Sequence, residues 1–339
     1  MVAATTHHSP VTTHQNAMLL KVRDLCKYYP VYSKGFLKNQ IGLVKAADHV
    51  SFELRRGETL GLVGESGSGK TTTGRTILRA TTPDKGSIEF LLDGKTVDLA
   101  TLPEAGLRPL RTRMQMIFQD PFSSLNPRMT VGDIVGEPLV IHRMAKGEEL
   151  KDRVAQMLKR VGLKPEHQQR YPHAFSGGQR QRIGIARALI MRPDFVVADE
   201  AVSALDVSVQ AQVINLLKEM QEEMGLAYLF VAHDLSVVQH ICDRVAVMYA
   251  GKIVELAPTE QLFSEPKHPY TRALLAAVPN PDPDVRMASI LEGDPADPGK
   301  LPPGCSFHPR CKECIAVCKE SVPELRTLSD GRVAACHRA

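Results

Sequence analysis

The chain has 339 residues and a formal net charge of +4; 43% of its residues are hydrophobic and 24% are charged. This composition is typical of a globular protein and excludes a disordered or collagen-like chain. The net charge is too small to indicate a nucleic-acid partner. Because no stretch of about 18 apolar residues occurs, the sequence predicts no membrane-spanning helix.

Two segments have the composition of flexible or extended chain. Residues 1–18 are polar and lack the basic and apolar regions of a secretory signal, so we expect a disordered N-terminal tail and a cytosolic protein. Residues 279–304 contain seven prolines, which favours an extended linker. The predicted units are therefore a tail (1–18), a main domain (19–257), a helix with the Pro-rich linker (258–304) and a Cys-rich tail (305–339).

Short apolar runs alternate with helical patterns in the main domain, which predicts a parallel sheet covered by helices. A helix is expected to begin at Lys70, and the stretch 130–190 has mostly helical periodicity. The predicted buried strands lie at 60–63, 195–199 and 227–234, the helix between the last two at 206–225, and a hairpin at 244–257.

The sequence GESGSGKT fits the phosphate-binding pattern G-x-x-x-x-G-K-[S/T], with Gly64, Gly69, Lys70 and Thr71 at the fixed positions. Glycines let the backbone N–H groups converge on a phosphate, and the following helix adds the positive end of its dipole. Lys70 supplies a point charge to the phosphates, and the Thr71 hydroxyl can bind Mg²⁺.

Two further motifs suit the same chemistry. Asp199 and Glu200 follow the apolar run FVVA, where a magnesium-binding carboxylate and a residue that deprotonates water are expected opposite a phosphate loop. The sequence FSGGQRQR at 175–182 places Ser and two glycines at a helix start, which is a second anion site. One chain does not need two sites for one terminal phosphate, whereas two facing copies do.

These motifs occur in one order with MIFQDP, SALD and VAHD. Together they resemble the nucleotide-binding subunit of ABC transporters over about residues 19–257. The resemblance implies an α/β P-loop fold with a mixed sheet, an inserted α-helical subdomain at about 120–190 and a small C-terminal cysteine-rich extension. It also implies that the chain is an ATPase that uses ATP and Mg²⁺.

Roles are carried over from the family by position. Tyr29 is implied to stack on adenine, with Tyr28 as the alternative. Gln119 is implied to reach Mg²⁺ and water, Glu200 to activate the water and His233 to contact the γ-phosphate. The predicted magnesium ligands are Thr71, Gln119 and Asp199. The other predicted nucleotide contacts are Gly64, Glu65, Ser66, Gly67, Ser68, Gly69, Lys70 and Thr72 in the chain's own site, and Ser176, Gly177, Gly178, Gln179 and Asp206 acting on a partner's nucleotide.

Two positions depart from the family pattern. The residue after Glu200 is Ala201 where the family usually has Pro, and the residue before Ser176 is Phe175 where it usually has Leu. Neither is a predicted catalytic position, so we expect an active hydrolytic site.

Three segments resemble the dipeptide/oligopeptide importer branch, and its second ATPase subunit in particular. They are the sequence 120–133, the sequence KHPYTRALLAAVP at 267–279, and four cysteines spaced C-x5-C-x6-C-x17-C. The 267–279 segment also predicts an apolar helical stripe of Leu274, Leu275 and Val278 that packs on the core.

The tail cysteines leave three alternatives. A structural zinc prefers four N/S ligands, a [4Fe–4S] cluster takes four thiolates at diverse spacing, and the thiols can stay unmetallated. The resemblance implies a [4Fe–4S] cluster on Cys305, Cys311, Cys318 and Cys336, with Cys314 outside the set. Disulfides are disfavoured in a reducing compartment.

The resemblance also implies partners. These are two transmembrane permeases, a paralogous ATP-binding subunit that gives a heterodimer, and an extracytoplasmic peptide-binding protein, with the chain at the cytoplasmic face of the inner membrane and no nucleic acid bound. Two alternatives stay open: another cargo, such as nickel, and a non-transport ABC ATPase. Every motif that a homodimer needs is also present.

Overall fold

The computed structural model describes residues 17–33, 39–278 and 293–339. The predicted N-terminal tail and half of the predicted linker therefore lie almost entirely outside the described residues. In chain order the elements are β1 (Met18–Tyr32), β2 (Gln40–Arg55), β3 (Thr59–Val63), α1 (Lys70–Ile77), β4 (Lys85–Leu92), β5 (Lys95–Asp98), α2 (Glu104–Leu110), β6 (Met114–Ile117), α3 (Val131–Ile141), α4 (Gly147–Arg160), α5 (Gly177–Leu189), β7 (Phe195–Asp199), α6 (Val207–Met224), β8 (Ala227–Ala232), α7 (Leu235–Ile241), β9 (Arg244–Tyr249), β10 (Lys252–Pro258), α8 (Thr259–Ser264), α9 (Pro269–Ala276), α10 (Ala316–Glu320), β11 (Arg326–Thr327) and β12 (Val333–Ala334).

The strands form two sheets. A sheet of four antiparallel strands has the order β2-β1-β4-β5, and a sheet of eight has the order β11-β12-β10-β9-β3-β8-β7-β6. In the larger sheet β9, β3, β8, β7 and β6 run parallel, and β10, β12 and β11 continue it antiparallel. The predicted mixed sheet is thus confirmed.

The predicted buried strands are central in the larger sheet. Every residue of β3, β7 and β8 is buried, because helices and the smaller sheet cover both faces. The strands β7 and β3 flank β8, so their carboxyl ends lie at one edge of the sheet. Chemical groups that follow these strands therefore meet at that edge, where parallel sheets bind ligands.

The stretch 130–190 is helical, as its periodicity predicts. Thr130 caps α3 by accepting a hydrogen bond from the backbone N–H of Asp133. Helix α4 buries only Val154, Met157 and Leu158, one apolar face of a charged helix. These side chains belong to a core that continues into the parallel sheet.

The C-terminal residues pack on the main domain and extend its sheet. Strand β12 pairs with β10, so that Val333 lies opposite Leu256. The predicted stripe of Leu274, Leu275 and Val278 packs against the core, which confirms that prediction. The resemblance implies a small C-terminal cysteine-rich extension; in the structure this segment joins the larger sheet through β12 and buries Phe307.

Among the described residues, no helix is long and apolar enough to cross a membrane.

Candidate nucleotide site

The phosphate loop follows β3 and has a backbone that glycine alone suits at two positions. Gly64 has φ 147° and Gly69 has φ 102°. A Cβ atom at Gly64 would overlap the carbonyl oxygen of Met248, and one at Gly69 would overlap that of Ala46. Within the described ranges no side chain caps α1, so the first N–H groups of this helix remain available to a phosphate.

The Lys70 side chain lies across the phosphate loop. Its Nζ donates to the carbonyl oxygens of Gly64 at 2.7 Å and Glu65 at 2.9 Å. Burial lowers the pKa of Lys70, while the carboxylates of Glu200, Asp199 and Glu65 act in the opposite direction. A bound phosphate would replace these carbonyl oxygens as the partner of the ammonium group.

The predicted magnesium ligands Thr71 and Asp199 lie side by side. The Thr71 hydroxyl donates to Asp199 Oδ1 at 2.8 Å, and Asp199 is 2% exposed. Burial raises the pKa of the Asp199 carboxyl, although the Thr71 hydrogen bond and the Arg75 guanidinium lower it. A buried carboxylate and a hydroxyl at this spacing are the oxygen ligands that Mg²⁺ prefers.

Glu200 is the centre of the predicted catalytic group. Its Oε2 accepts a hydrogen bond from Gln119 Nε2 at 2.7 Å and lies 3.3 Å from His233 Nδ1. Its backbone is left-handed, with φ 48°, and the Ser203 hydroxyl donates to its carbonyl oxygen at 3.0 Å. A non-glycine residue in this conformation is strained, and such strain is concentrated at functional sites. This arrangement can hold a water molecule between the carboxylate, the amide and the imidazole.

One cavity, here called the nucleotide cavity, joins these groups. Three of its residues, Val44, Ala46 and Pro298, were not predicted from the sequence, since no motif marks them. Its lining consists of Val44, Ala46, Ser66, Gly67, Gly69, Lys70, Thr71, Thr72, Gln119, Glu200, His233 and Pro298.

The two candidate adenine-stacking tyrosines differ in their surroundings. Tyr29 pairs with Val44 across β1 and β2, so both side chains lie on one face of that sheet, beside the nucleotide cavity. Its side chain is 40% exposed. The Tyr28 hydroxyl instead donates to Asp48 at 2.6 Å. Tyr29 is therefore the more accessible of the two rings, and its stacking on a base stays a prediction.

The SGGQ segment is remote from the nucleotide cavity of its own chain. Ser176 caps α5 and forms a reciprocal capping box with Gln179. A Cβ atom at Gly178 would overlap Val209 of α6, which begins after Asp206. Among the described residues that line the nucleotide cavity, none belongs to this segment. The structure thus brings together the predicted Lys70, Thr71, Gln119, Glu200 and His233 groups, and leaves 176–179 facing outward.

Glu65 differs from its prediction as a nucleotide contact. Its backbone N–H donates to the Tyr270 hydroxyl at 2.9 Å, and its carboxylate pairs with Arg310 at 2.7 Å. It does not line the nucleotide cavity. Both of its partners belong to the C-terminal part of the chain, which sequence motifs did not connect to the phosphate loop.

Four of the tail cysteines share a small cavity: Cys305, Cys311, Cys318 and Cys336 line it together. Cys314 does not, and its thiol donates to the carbonyl oxygen of Ile315. Burial raises the pKa of the Cys305 thiol to about 11, and the other three thiols act in the same direction. A thiol with this pKa is protonated at neutral pH, so Cys305 would have to lose its proton to bind a metal.

The distances between possible ligand atoms bear on whether the four cysteines could bind zinc. Among the described residues, only the atoms of Cys26, Asp48 and His49 form a group of three His, Cys, Asp or Glu ligands within 4.8 Å of one another. Among the described residues, no three tail thiols therefore have their sulfur atoms all within 4.8 Å of one another. Tetrahedral zinc with Zn–S bonds of about 2.3 Å needs thiolates about 3.8 Å apart.

His268 makes stability depend on pH. It is 1% exposed, its Nδ1 accepts from the Tyr270 N–H at 3.0 Å, and burial lowers its pKa to about 4. Below its unfolded pKa of about 6.5, the unfolded chain binds a proton that the folded chain rejects, so this contribution to stability is lost as pH falls. We expect the free energy of unfolding to fall by about 2 kcal/mol from His268 alone between pH 7 and pH 5.

Urea unfolding at the two pH values checks this. His268→Asn keeps a cap acceptor without the titration and should show a shallower loss. Equal losses in the two proteins would contradict the assignment.

Comparisons with known proteins agree with this geometry. The model of the ABC transporter family matches residues 47–203, and that of the oligopeptide/dipeptide transporter C-terminal region matches residues 254–318. A peptide import ATP-binding protein of Brucella ovis is 53% identical over 94% of this chain and 98% of its own length. An oligopeptide transport ATP-binding protein of Bacillus subtilis is 50% identical over 96% of this chain and 99% of its own length.

Two solved structures also resemble this chain. A dimeric ATP-binding cassette in a post-hydrolysis state, bound to ADP and phosphate, is 27% identical with a TM-score of 0.61 and covers 71% of this chain and 99% of its own. The protein cbiO1 of Clostridium perfringens, part of the ABC transporter complex cbiONQ, is 30% identical with a TM-score of 0.61 over 74% of this chain and 92% of its own. The chain therefore belongs to the ATP-binding proteins of ABC transporters, in the branch with the oligopeptide/dipeptide transporter C-terminal region.

Proposed function

We propose that this chain is the ATP-hydrolysing subunit of an importer for di- and oligopeptides, acting at the cytoplasmic face of the inner membrane. The observation that carries the proposal is the nucleotide cavity, where Lys70, Thr71, Gln119, Glu200 and His233 converge. The names of the similar proteins, together with the matched C-terminal region, support peptides as the cargo.

In the proposed site the loop N–H groups and Lys70 bind the phosphates, and Thr71 with Asp199 holds Mg²⁺, assisted by Gln119. The metal would neutralise charge on the phosphates. Glu200 takes a proton from the attacking water, and His233 contacts the terminal phosphate. Tyr29 stacks on the base. Ser176 to Gln179 complete the site of a second ATP-binding chain, and Asp206 lies beside that interface.

The nucleotide cavity and the SGGQ segment lie apart on one chain, so in the proposed mechanism ATP is bound between two chains. If ATP binds the closed pair of chains much more tightly than the open pair, its binding drives closure, and hydrolysis reverses it. Two transmembrane permeases would convert this motion into alternating access, and an extracytoplasmic binding protein would deliver the peptide. We propose a paralogous subunit as the partner chain, which makes this chain the second ATPase subunit of the complex.

The test of the cargo is peptide-stimulated ATP hydrolysis by the complex in lipid vesicles. The chain would be co-purified with the permeases and the binding protein proposed as its partners. Stimulation by di- or oligopeptides supports the proposal. Stimulation by Ni²⁺ but not by peptides would instead support the alternative cargo, and failure to associate with any permease would favour a non-transport ATPase.

We further propose that Cys305, Cys311, Cys318 and Cys336 hold a [4Fe–4S] cluster with a structural role. Their shared cavity supports one common ligand for the four cysteines. Because no three of these described thiols lie within 4.8 Å of one another, we favour a cluster over tetrahedral zinc. When bound, the cluster would deprotonate the four thiols and tie the segments that carry them together.

Metal analysis of protein purified without oxygen tests the cluster. About four iron and four sulfide per chain are expected, as the composition of the cluster requires. Cys305→Ser should lose both, whereas the matched variant Cys314→Ser should retain them. One zinc per chain, or iron retained in Cys305→Ser, would contradict the proposal without affecting the nucleotide site.

A further inference from the structure

An arginine of the cysteine-bearing tail contacts the phosphate loop. Arg310 Nη1 and Nη2 lie 2.7 and 3.0 Å from the two carboxylate oxygens of Glu65, and the Arg310 side chain is 6% exposed. Such a two-pronged contact fixes orientation as well as distance. The partners are separated by 245 residues in the sequence, so only the folded C-terminal segment places Arg310 there.

Glu65 connects the C-terminal segment to Lys70, the lysine of the phosphate loop. Its backbone N–H donates to the buried Tyr270 hydroxyl, and its carbonyl oxygen accepts from Lys70 Nζ at 2.9 Å. Glu65 is thus held on one side by two C-terminal residues and holds Lys70 on the other. Because Ser66 and Gly67, which follow it, line the nucleotide cavity, its backbone position affects how the loop presents its N–H groups.

The position of Arg310 depends in turn on the cysteine segment. Arg310 ends a short 3₁₀ turn, His308–Arg310, and precedes Cys311. The ring of Phe307 packs 5.3 Å from both Tyr270 and Tyr249, measured between centroids. This buried aromatic cluster anchors the turn to the main domain.

We propose that Arg310 is a positioning residue for the phosphate loop, through which the folded cysteine segment raises the affinity of the chain for nucleotide. Without Arg310 the loop would hold its binding conformation for only part of the time, and the apparent dissociation constant would rise in proportion. The inference depends on the proposed nucleotide site but on neither the cargo nor the cluster.

The first measurement is the affinity of the full chain for Mg-ADP by calorimetry, since ADP occupies the loop without hydrolysis. We expect Arg310→Gln to weaken binding about tenfold, within the usual range of couplings between sites. Arg310→Lys should recover part of the loss, because an ammonium group keeps the charge but lacks the planar fork. Arg272→Gln is the matched control: it removes an exposed contact of 2.8 Å between α9 and Glu313 of the tail, in which no residue of the loop takes part.

A double variant separates positioning from charge. If Arg310 only screened the negative charge of Glu65 from the phosphates, Arg310→Gln combined with Glu65→Gln would recover wild-type affinity. A positioning role predicts that the double variant stays as weak as Arg310→Gln, because the contact is absent in both. Recovery would overturn the proposal, as would unchanged affinity in Arg310→Gln.

If the folded cysteine segment raises nucleotide affinity, nucleotide binding must in turn stabilise that segment. Mg-ADP should slow amide hydrogen exchange in residues 305–318 of the wild-type chain but not of Arg310→Gln. Amide exchange at β12 reports whether the tail of Arg310→Gln stays folded. If the tail unfolds, the affinity of Glu65→Gln for Mg-ADP tests the proposal instead, because this variant removes the same contact without changing the tail. A wild-type chain that binds no Mg-ADP would refute the nucleotide site itself, which differs from equal binding by wild type and variant.

Discussion

Replacing Glu200 with glutamine is expected to abolish ATP turnover while leaving ATP binding intact. The Glu200 carboxylate lies at the cavity edge, with Gln119 at 2.7 Å and His233 at 3.3 Å. Glutamine has the same shape and can still accept a hydrogen bond from Gln119, but it cannot take a proton from water. General-base removal of this kind lowers rates by about 100- to 10,000-fold.

The measurement is phosphate release together with nucleotide affinity. Lys70→Ala is the contrasting variant, because it removes the ammonium group that binds the phosphates and should reduce affinity as well as turnover. If Glu200→Gln hydrolyses ATP at the wild-type rate, the base is another residue, and Glu200 is reduced to a hydrogen-bonding partner of Gln119 and His233.

Lys70, Asp199 and Glu200 were predictable from local sequence because each lies close to a recognisable strand, whereas the roles of Gln119 and His233 came from the family resemblance. The strands β3, β8 and β7 are continuous apolar runs, and all their residues are buried. Parallel neighbours end at one edge of a sheet, so the groups that follow them must meet there. Local sequence therefore determined the approximate positions of Lys70, Asp199 and Glu200 without any knowledge of side-chain contacts.

The smaller sheet was not predicted because its strands are irregular. Strand β1 has 15 residues and β2 has 16, but their pairing shifts register at several points. Each shift moves apolar side chains to the opposite face of the sheet, so no simple alternation runs through the sequence.

The C-terminal contributions to the site were missed for a different reason. Arg310 and Tyr270 reach Glu65 across 245 and 205 residues, and Pro298 reaches the nucleotide cavity from the linker. Nothing in a local pattern marks an arginine before a cysteine as a partner of a phosphate loop. Contacts of this kind depend on how the last segment packs, which is decided by the buried aromatic cluster and the β10–β12 pairing.

A substitution in the SGGQ segment, residues 176–179, is expected to have the second large effect on ATP hydrolysis. We expect Ser176→Arg to lower hydrolysis by about 100- to 1,000-fold, the usual loss when a group that stabilises transition-state charge is removed. Nucleotide affinity of the isolated chain should not change, because this segment is exposed and does not line the chain's own nucleotide cavity among the described residues. The same assays of phosphate release and affinity apply.

Mixing variants shows in which chain the segment acts. In a pair formed by a Lys70→Ala chain and a Ser176→Arg chain, one of the two sites combines an intact phosphate loop with an intact SGGQ segment. If two copies of this chain pair, the mixture must regain hydrolysis that neither variant has alone. If the partner is a paralogous subunit, each pair contains one copy of this chain, so mixing the two variants gives no recovery, and each variant inactivates a different site of its pair. Wild-type hydrolysis by Ser176→Arg alone would contradict both arrangements, since it would mean that one chain completes its own site.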